Sequence, residues 1–150
     1  MELQGSHVLN APPEQIWEML MDTDVLARIV PGISRLEKTG ENEYKAVADI
    51  KMGPVSGSFS GGLTLSDIRE NEGYVIHVKQ SSKIGNADAT IRIDLAPVGQ
   101  AQTQLTFDGG AKLSGLLART GNRVLSGVAN TLTKQFFENF EKELQTTKQT

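Results

Sequence analysis

The sequence predicts an α+β fold in which a curved antiparallel sheet of about six to seven strands wraps around a long C-terminal helix. Two short helical segments follow the first predicted strand, and residues 43–113 then alternate between apolar and polar side chains. Helical spacing of apolar residues returns after Ser114. A chain of 150 residues is long enough to bury a core, so we expect a single domain over residues 1–150.

The elements that precede the sheet are predicted from local signals. The stretch "LQGSHVLN" is predicted as the first strand, and "APPEQIWEML" as a short helix with prolines at its start and Glu14 in its first turn. A second short helix is predicted in "DTDVLARIV", with Asp22 or Thr23 as its cap. Pro31 and Gly32 end this helix.

The segments with a period of two are predicted as antiparallel strands with one buried and one solvated face. They are "NEYKAVADIKM", "VSGSFSGGLTL", "GYVIHVKQS", "ADATIRIDL" and "TQLTFDGGAKL". Turn signals such as "MGP", "RENEG", "KIGN" and "PVGQ" separate them. We therefore expect consecutive strands to be neighbours in one sheet.

The last helix differs between its two halves. If it is unbroken over residues 114–144 it measures roughly 45 Å, and a helix of that length needs a packing partner, which the open face of the sheet provides. Its first half contains Gly121 and Gly127, whereas its second half contains Phe136 and Phe140. We therefore expect the thin half to roof a cavity and the bulky half to plug it.

Small side chains on the inward face of the strands also predict that cavity. They are Ala46, Ala48, Gly57, Gly61, Ala87, Ala89, Gly109 and Ala111. Strand interiors usually carry branched or aromatic residues, so small residues on neighbouring strands favour an apolar hollow. The same residues also suit a second interpretation, in which they let the helix pack directly on the sheet without a void.

The residues predicted to line the hollow combine inward strand positions with the facing side of the helix and two positions in the short helices. They are Trp17, Ile29, Tyr44, Ala46, Ala48, Ile50, Val55, Gly57, Phe59, Gly61, Leu63, Tyr74, Ile76, Ala89, Ile91, Phe107, Gly109, Gly121, Leu125, Val128 and Leu132. Such a lining offers few polar groups and is typical of a site for a hydrophobic small molecule. Val25, Leu26, Ile29 and Val30, in "VLARIVPG", form a candidate gate, and they suit closure of the core equally well.

Charge and composition exclude several classes of partner. The net charge is −3 and the basic residues are scattered, so we expect no nucleic-acid partner. The chain contains no cysteine, which excludes disulfides and cysteine-ligated metal sites. Neither an apolar signal region nor a run of about 18 apolar residues is present. We expect a cytoplasmic protein, with any membrane contact transient and peripheral at the inner face.

Sequence signals for catalysis and metal binding are weak. His77 alternates to the solvated face, and the face of His7 is ambiguous. The inward positions carry almost no ionisable groups, and the glycine-rich "SGSFSGG" lacks the Lys-Ser/Thr pair of a phosphate loop. We expect no enzymatic activity, no metal and no covalent cofactor.

Three stretches of the chain together carry a family resemblance. They are Pro31-Gly32, the "KMGPVSGSFSG" segment at residues 51–61, and the "GNRVLSGVA…KQFF" helix at residues 121–137. With them the chain resembles the carbon monoxide dehydrogenase G-subunit family of the START-like (SRPBCC, helix-grip) superfamily, and the likeness covers nearly its whole length. The resemblance implies a helix-grip fold with a lipophilic molecule held between sheet and helix.

The resemblance also implies a biological role. It implies an accessory protein beside a molybdenum hydroxylase of the carbon monoxide dehydrogenase type, which recruits the enzyme to the membrane or handles an isoprenoid quinone as electron acceptor. A bound lipid or isoprenoid quinone is the non-covalent ligand that this implies. Many relatives continue into a C-terminal anchor, whereas this chain ends at "QTTKQT", so we expect no transmembrane anchor of its own.

Two other functions stay open at this point. A protein-interaction or assembly module would have its hollow filled by side chains. A START-like small-molecule cyclase or hydrolase would need an ionisable side chain facing the hollow, for which His7 is the evident candidate. A structure in which His7 points away from the inner face would contradict the enzymatic alternative.

Overall fold

The computed structural model describes residues 1–148, and the end of the polar tail, residues 149–150, lies outside the described residues. The strands are β1 (Glu2–Leu9), β2 (Ile33–Gly40), β3 (Glu43–Met52), β4 (Val55–Arg69), β5 (Gly73–Ser82), β6 (Gly85–Val98) and β7 (Gln102–Leu113). The helices are α1 (Pro13–Leu20), α2 (Thr23–Ile29), α3 (Gly115–Arg119) and α4 (Asn122–Lys148). This arrangement confirms the predicted α+β class.

The seven strands form one antiparallel sheet in the order β1-β7-β6-β5-β4-β3-β2. Strands β2 to β7 follow one another as a meander, and β1 pairs with the last strand, β7. The segment containing α1 and α2 therefore connects one edge of the sheet to the other. It lies on the inner face together with α4, because their apolar side chains share one core cluster.

Local chemistry fixes the limits of α2. The carboxylate of Asp22 caps the helix by accepting hydrogen bonds from the backbone N–H groups of Asp24 at 2.9 Å and Val25 at 3.3 Å. Gly32 has a φ of +78°, and a Cβ there would lie 2.8 Å from the carbonyl oxygen of Asp49. Only glycine fits this turn without strain, so α2 ends at the predicted position and the chain turns into β2.

The C-terminal helical region differs from the predicted unbroken helix. Ser114 precedes the short helix α3, and Gly121, with a φ of +98°, separates α3 from α4. An α-helix cannot continue through a left-handed residue, and glycine adopts that conformation readily. The break therefore follows from Gly121 itself.

Strand β2 is an element that alternation alone does not predict. Its pairing with β3 shifts register between Ile33 and Arg35 and again between Lys38 and Gly40. Each irregularity interrupts the alternation of faces, so the period of two is lost in the sequence.

The inner face of the sheet carries two separate core clusters. The first cluster comprises Leu9, Ala11, Ile16, Trp17, Met19, Leu20, Val25, Ile29, Tyr74, Leu95, Leu105, Phe137, Phe140 and Leu144. The second cluster comprises Val55, Phe59, Leu117 and Leu125, with Met1, Ile50, Ile84, Ala87, Leu113 and Val128 packed against it. The second half of α4 thus packs in the first cluster, and its first half packs in the second.

Candidate ligand cavity

An apolar cavity of about 370 Å³ lies beside the first cluster, between the sheet and α4. It is lined by Leu3, Leu20, Leu26, Val30, Pro31, Ile33, Leu36, Tyr44, Leu63, Leu65, Tyr74, Ile76, Ile91, Ile93, Leu105, Phe107, Leu132, Thr133, Phe136 and Phe137. This volume falls within the range of roughly 300–1,000 Å³ that is typical of small-molecule sites. Every strand of the sheet and three of the helices contribute to it.

Only some of the residues predicted to line the hollow do line this cavity. The predicted residues that line it are Tyr44, Leu63, Tyr74, Ile76, Ile91, Phe107 and Leu132. The predicted residues that lie elsewhere are Trp17, Ile29, Ala46, Ala48, Ile50, Val55, Gly57, Phe59, Gly61, Ala89, Gly109, Gly121, Leu125 and Val128. Trp17 and Ile29 belong to the first cluster, and the second cluster takes up Ile50, Val55, Phe59, Leu125 and Val128.

The cavity lies under the bulky half of α4, which corrects the expectation that the thin half roofs it. Leu132, Thr133, Phe136 and Phe137 form the helical wall. The thin half contributes Leu125 and Val128 to the filled second cluster, so the close-packing interpretation describes that end of the molecule. Gly127 faces open space, because a Cβ added there would meet no atom within 4 Å.

Two of the inward glycines are explained by the packing of neighbouring strands and not by the cavity. A Cβ at Gly61 would overlap the carbonyl oxygen of Lys79, and one at Gly109 would overlap that of Thr90. In both cases the obstructing atom belongs to the neighbouring strand, so the glycine permits a close approach of two backbones. The small side chain is therefore a signal of strand geometry at these positions.

Several cavity residues are missed by sequence reasoning although their signals are present. Leu65, Ile93 and Leu105 continue the predicted inward alternation of β4, β6 and β7. Ile33 and Leu36 lie on β2, whose irregular register hides its alternation. These residues are large, whereas the sequence argument for a hollow depends on the small ones.

The polar side chains that line the cavity are those of Tyr44, Tyr74 and Thr133. The Thr133 hydroxyl donates to the backbone carbonyl of Ala129 at 2.8 Å within α4. Tyr44 and Tyr74 are 6% and 4% exposed, and neither hydroxyl has a hydrogen-bond partner among residues 1–146. Burial raises the pKa of Tyr74, and the nearby Tyr44 raises it further. Both phenols are thus polar groups in an apolar site.

The segment containing α2 closes one side of the cavity. Leu26 and Val30 line it, whereas Val25 and Ile29 are buried in the first cluster and anchor the segment. Asn139 of α4 donates its side-chain N–H to the carbonyl oxygen of Ile29 at 3.1 Å. The Arg28 side chain also reaches across to Glu143 of α4, at 2.6 Å. The candidate gate therefore combines cavity-facing side chains with polar contacts that hold it to α4.

His7 lies on the inner face of β1 but does not line the cavity. Its ring stacks on Phe137, which does line the cavity, and its Nε2 lies 2.6 Å from Glu141 Oε1. The His7 side chain remains 35% exposed. The inner-face position required by the enzymatic alternative is met, whereas contact with the cavity is not. His77 lies 2.9 Å from Asp88 Oδ1 on the solvated face.

No cluster of three metal-ligating side chains occurs within residues 1–146. Over the same residues, no helix combines the length and hydropathy needed to cross a membrane.

One protein family matches nearly the whole chain. The model of the carbon monoxide dehydrogenase G-subunit family (CoxG) matches residues 5–145. This chain belongs to that family. The match agrees with the resemblance carried by the motifs at residues 31–32, 51–61 and 121–137. No curated protein matches the chain.

Solved structures agree with this assignment. A conserved protein from Geobacillus kaustophilus is 33% identical, with a TM-score of 0.94 over 97% of this chain and 96% of that one. A START superfamily protein from Mycobacterium smegmatis is 14% identical, with a TM-score of 0.73 over 97% of both chains. The Zhui aromatase/cyclase from Streptomyces is 16% identical, with a TM-score of 0.69 over 97% of this chain and 93% of that one. The last two show the START-like fold of this CoxG family member.

Proposed function

We propose that this chain is a non-enzymatic accessory protein that binds a lipophilic molecule, a lipid or an isoprenoid quinone, beside a carbon monoxide dehydrogenase-type molybdenum hydroxylase. The observation that carries the proposal is the cavity of about 370 Å³ beneath the second half of α4. Its wall is apolar except for Tyr44, Tyr74 and Thr133. Burying apolar ligand surface there yields about 25 cal/mol per Å².

Membership of the CoxG family supports the enzyme partner. In this proposal the protein works in the cytoplasm and makes peripheral contact with the inner face of the membrane, where lipophilic molecules are taken up or delivered. The candidate gate, with Leu26 and Val30 on the cavity wall, is the passage for the ligand.

The alternative of an assembly module with a filled core is supported at one end of the molecule only. The second cluster fills the space between the thin half of α4 and the sheet. The START-like cyclase or hydrolase alternative gains no support from the cavity wall, because no charged side chain of the described residues lines it. We therefore favour binding over catalysis.

Mass spectrometry of an organic extract tests the proposal directly. The protein is purified gently from its own host, and a stoichiometric lipid or quinone is the expected result. Ile91 on the cavity floor is replaced in a blocking variant, Ile91→Trp, which should purify without ligand. Thr90→Trp is the matched control, because Thr90 lies next to Ile91 on the exposed face of β6. Empty wild-type protein that also takes up no added quinone would contradict the proposal.

A second experiment tests the enzyme partner. The intact protein, immobilised and incubated with host extract, should retain a molybdenum hydroxylase that is identified by its peptides and by its bound molybdenum. Recovery of lipid from the cavity without any such enzyme would support the binding function and contradict the accessory role.

A further inference from the structure

The cavity holds two buried phenol groups that no protein group satisfies. Tyr44 and Tyr74 both line it, on β3 and β5, and their hydroxyls have no hydrogen-bond partner within residues 1–146. The fully buried side-chain atoms without a partner in the described residues are those of Gln80, so the tyrosine hydroxyls keep some accessible surface, and both side chains line the cavity. The third hydroxyl of the wall, on Thr133, is satisfied by the carbonyl of Ala129. The two tyrosines are therefore left to bond to something that occupies the cavity.

The phenols act as donors in this environment. Burial disfavours the charged phenolate, and the pKa of Tyr74 is raised by burial first and by Tyr44 second. Each phenol hydroxyl carries an O–H donor that can bond to an acceptor oxygen. Both side chains line the same cavity, so one ligand inside it can meet both hydroxyls.

The rest of the cavity wall disfavours ligands that carry a charged group. No lysine, arginine, histidine, aspartate or glutamate of the described residues lines the cavity. An ionised ligand group placed there would lose its hydration without gaining an ion-pair partner, which is strongly unfavourable. Carboxylate and phosphate heads are thus disfavoured, whereas a neutral oxygen acceptor is accommodated.

We infer that Tyr44 and Tyr74 donate hydrogen bonds to a neutral lipophilic ligand with carbonyl-type oxygen in its head, and that this pair sets the specificity of the cavity. The inference rests on the proposed function and names the ligand class of the same site. The head group of the ligand lies against the sheet at β3 and β5. There the Trp17 ring packs edge-on against the Tyr74 ring, with ring centroids 5.7 Å apart. The apolar part of the ligand extends along the leucine, isoleucine and phenylalanine side chains of the wall.

Three probes that share a ring and a ten-carbon chain test the inference. They are 4-decylacetophenone with a neutral carbonyl, 1-decyl-4-ethylbenzene without oxygen, and 4-decylbenzoate with a negative charge. Trp17 is the only tryptophan of the chain and contacts Tyr74, so its fluorescence reports occupancy. Dissociation constants are measured for the wild type, for Tyr44→Phe, for Tyr74→Phe and for the double variant. The control is Thr133→Val, which removes a cavity hydroxyl that is already bonded within α4.

The wild type should bind the ketone roughly tenfold or more tightly than the hydrocarbon, since each hydrogen bond contributes a fewfold factor. The benzoate should bind more weakly than the ketone at pH 8. Each tyrosine variant should lower the ketone-to-hydrocarbon ratio, and the double variant should bring it near one with hydrocarbon affinity retained. Thr133→Val should keep the wild-type ratio.

Two results would overturn the inference in different ways. Equal binding of ketone and hydrocarbon by the wild type would contradict the tyrosine site and leave the proposed binding function intact. A wild type that binds neither ketone nor hydrocarbon would contradict the proposed function, and the inference would fail with it. Circular dichroism and the urea midpoint of each variant show whether a loss of binding reflects loss of the fold.

Discussion

The imidazole of His7 stacks on the phenyl ring of Phe137, with ring centroids 4.5 Å apart and planes inclined by 14°. The same imidazole places Nε2 at 2.6 Å from Glu141 Oε1, one turn further along α4. Strand β1 at the edge of the sheet is thus held to the helix by an aromatic contact and a polar one. Because Phe137 also lines the cavity, this contact supports one of its walls.

Replacement of His7 should therefore loosen the attachment of α4. We expect His7→Ala to lower the free energy of unfolding by about 1 kcal/mol, mainly through loss of the ring contact, since the polar contact is half-exposed. Urea denaturation measures this change. Glu141→Gln is the control: it keeps the ring contact and a polar partner, so its loss should be smaller. Equal losses in the two variants would contradict the leading role of the stacked rings.

Gly5 and Phe107 offer a way to change the cavity without changing its own residues. A Cβ at Gly5 would lie 2.7 Å from Cζ of Phe107, the far end of a side chain that lines the cavity. Gly5→Ala should therefore move the ring and weaken ligand binding roughly fivefold, with the sheet intact. Gly62→Ala is the matched control, because its nearest neighbour is the Tyr44 carbonyl at an ordinary 3.7 Å. Titration of both variants with the same probe checks this, and equal affinities would contradict it.

The hydrogen bond from Asn139 to the Ile29 carbonyl should control how fast the ligand leaves. Asn139→Ala removes the donor that holds the end of α2 to α4, and we expect ligand dissociation to become roughly fivefold faster. Stopped-flow fluorescence of Trp17 measures the rate. Asn130→Ala is the control, since Asn130 is an exposed residue of the same helix. If dissociation is unchanged in Asn139→Ala, the ligand passes elsewhere and the gate assignment is wrong.

Replacement of Gln80, whose side-chain amide is buried, should stabilise the protein. Its Nε2 and Oε1 are both shielded from solvent, and neither has a hydrogen-bond partner among residues 1–146. An unsatisfied buried polar group is costly, whereas an apolar group of similar shape is not. Gln80→Met should raise the free energy of unfolding of the ligand-free protein by about 1 kcal/mol. Gln102→Met is the control, because the Gln102 amide donates to Asn10 at 2.7 Å on the surface. A fall in stability for Gln80→Met would show that its amide is satisfied, for example by water.

The sequence predicts the faces of the strands better than it predicts the position of the cavity. Alternation correctly directs Tyr44, Ile76 and Phe107 to the inner face, because a period of two assigns each residue to one side of a strand. The distance between helix and sheet is a property of packing over the whole face, and no local pattern encodes it. The first half of α4 packs against Val55, Phe59 and Leu117, whereas the hollow lies beside Phe136 in its second half.

Single residues illustrate the same limit. Gly109 is predicted to leave space for a ligand in the cavity wall. In the structure, glycine is needed there because the Thr90 carbonyl of β6 lies too close for a side chain. A glycine in the sequence can be present for several structural reasons, among them a turn, two closely spaced strands or a cavity. Gly121 is expected in the roof, and its positive φ makes it the break between α3 and α4. Only the backbone conformation distinguishes these causes.

Gly127 gives the clearest test of where the cavity lies. It is a helical residue of α4, and an added Cβ would meet open space. Alanine is favoured over glycine inside a helix by about 1 kcal/mol, so Gly127→Ala should raise the free energy of unfolding by up to that amount. Ligand affinity should stay at the wild-type value, because Gly127 is exposed and does not line the cavity. If Gly127 roofed the ligand, the same variant would lose affinity, so a titration and a urea curve on one protein distinguish the two arrangements. Leu132→Ala, on the actual helical wall, is the contrasting variant and should change ligand affinity.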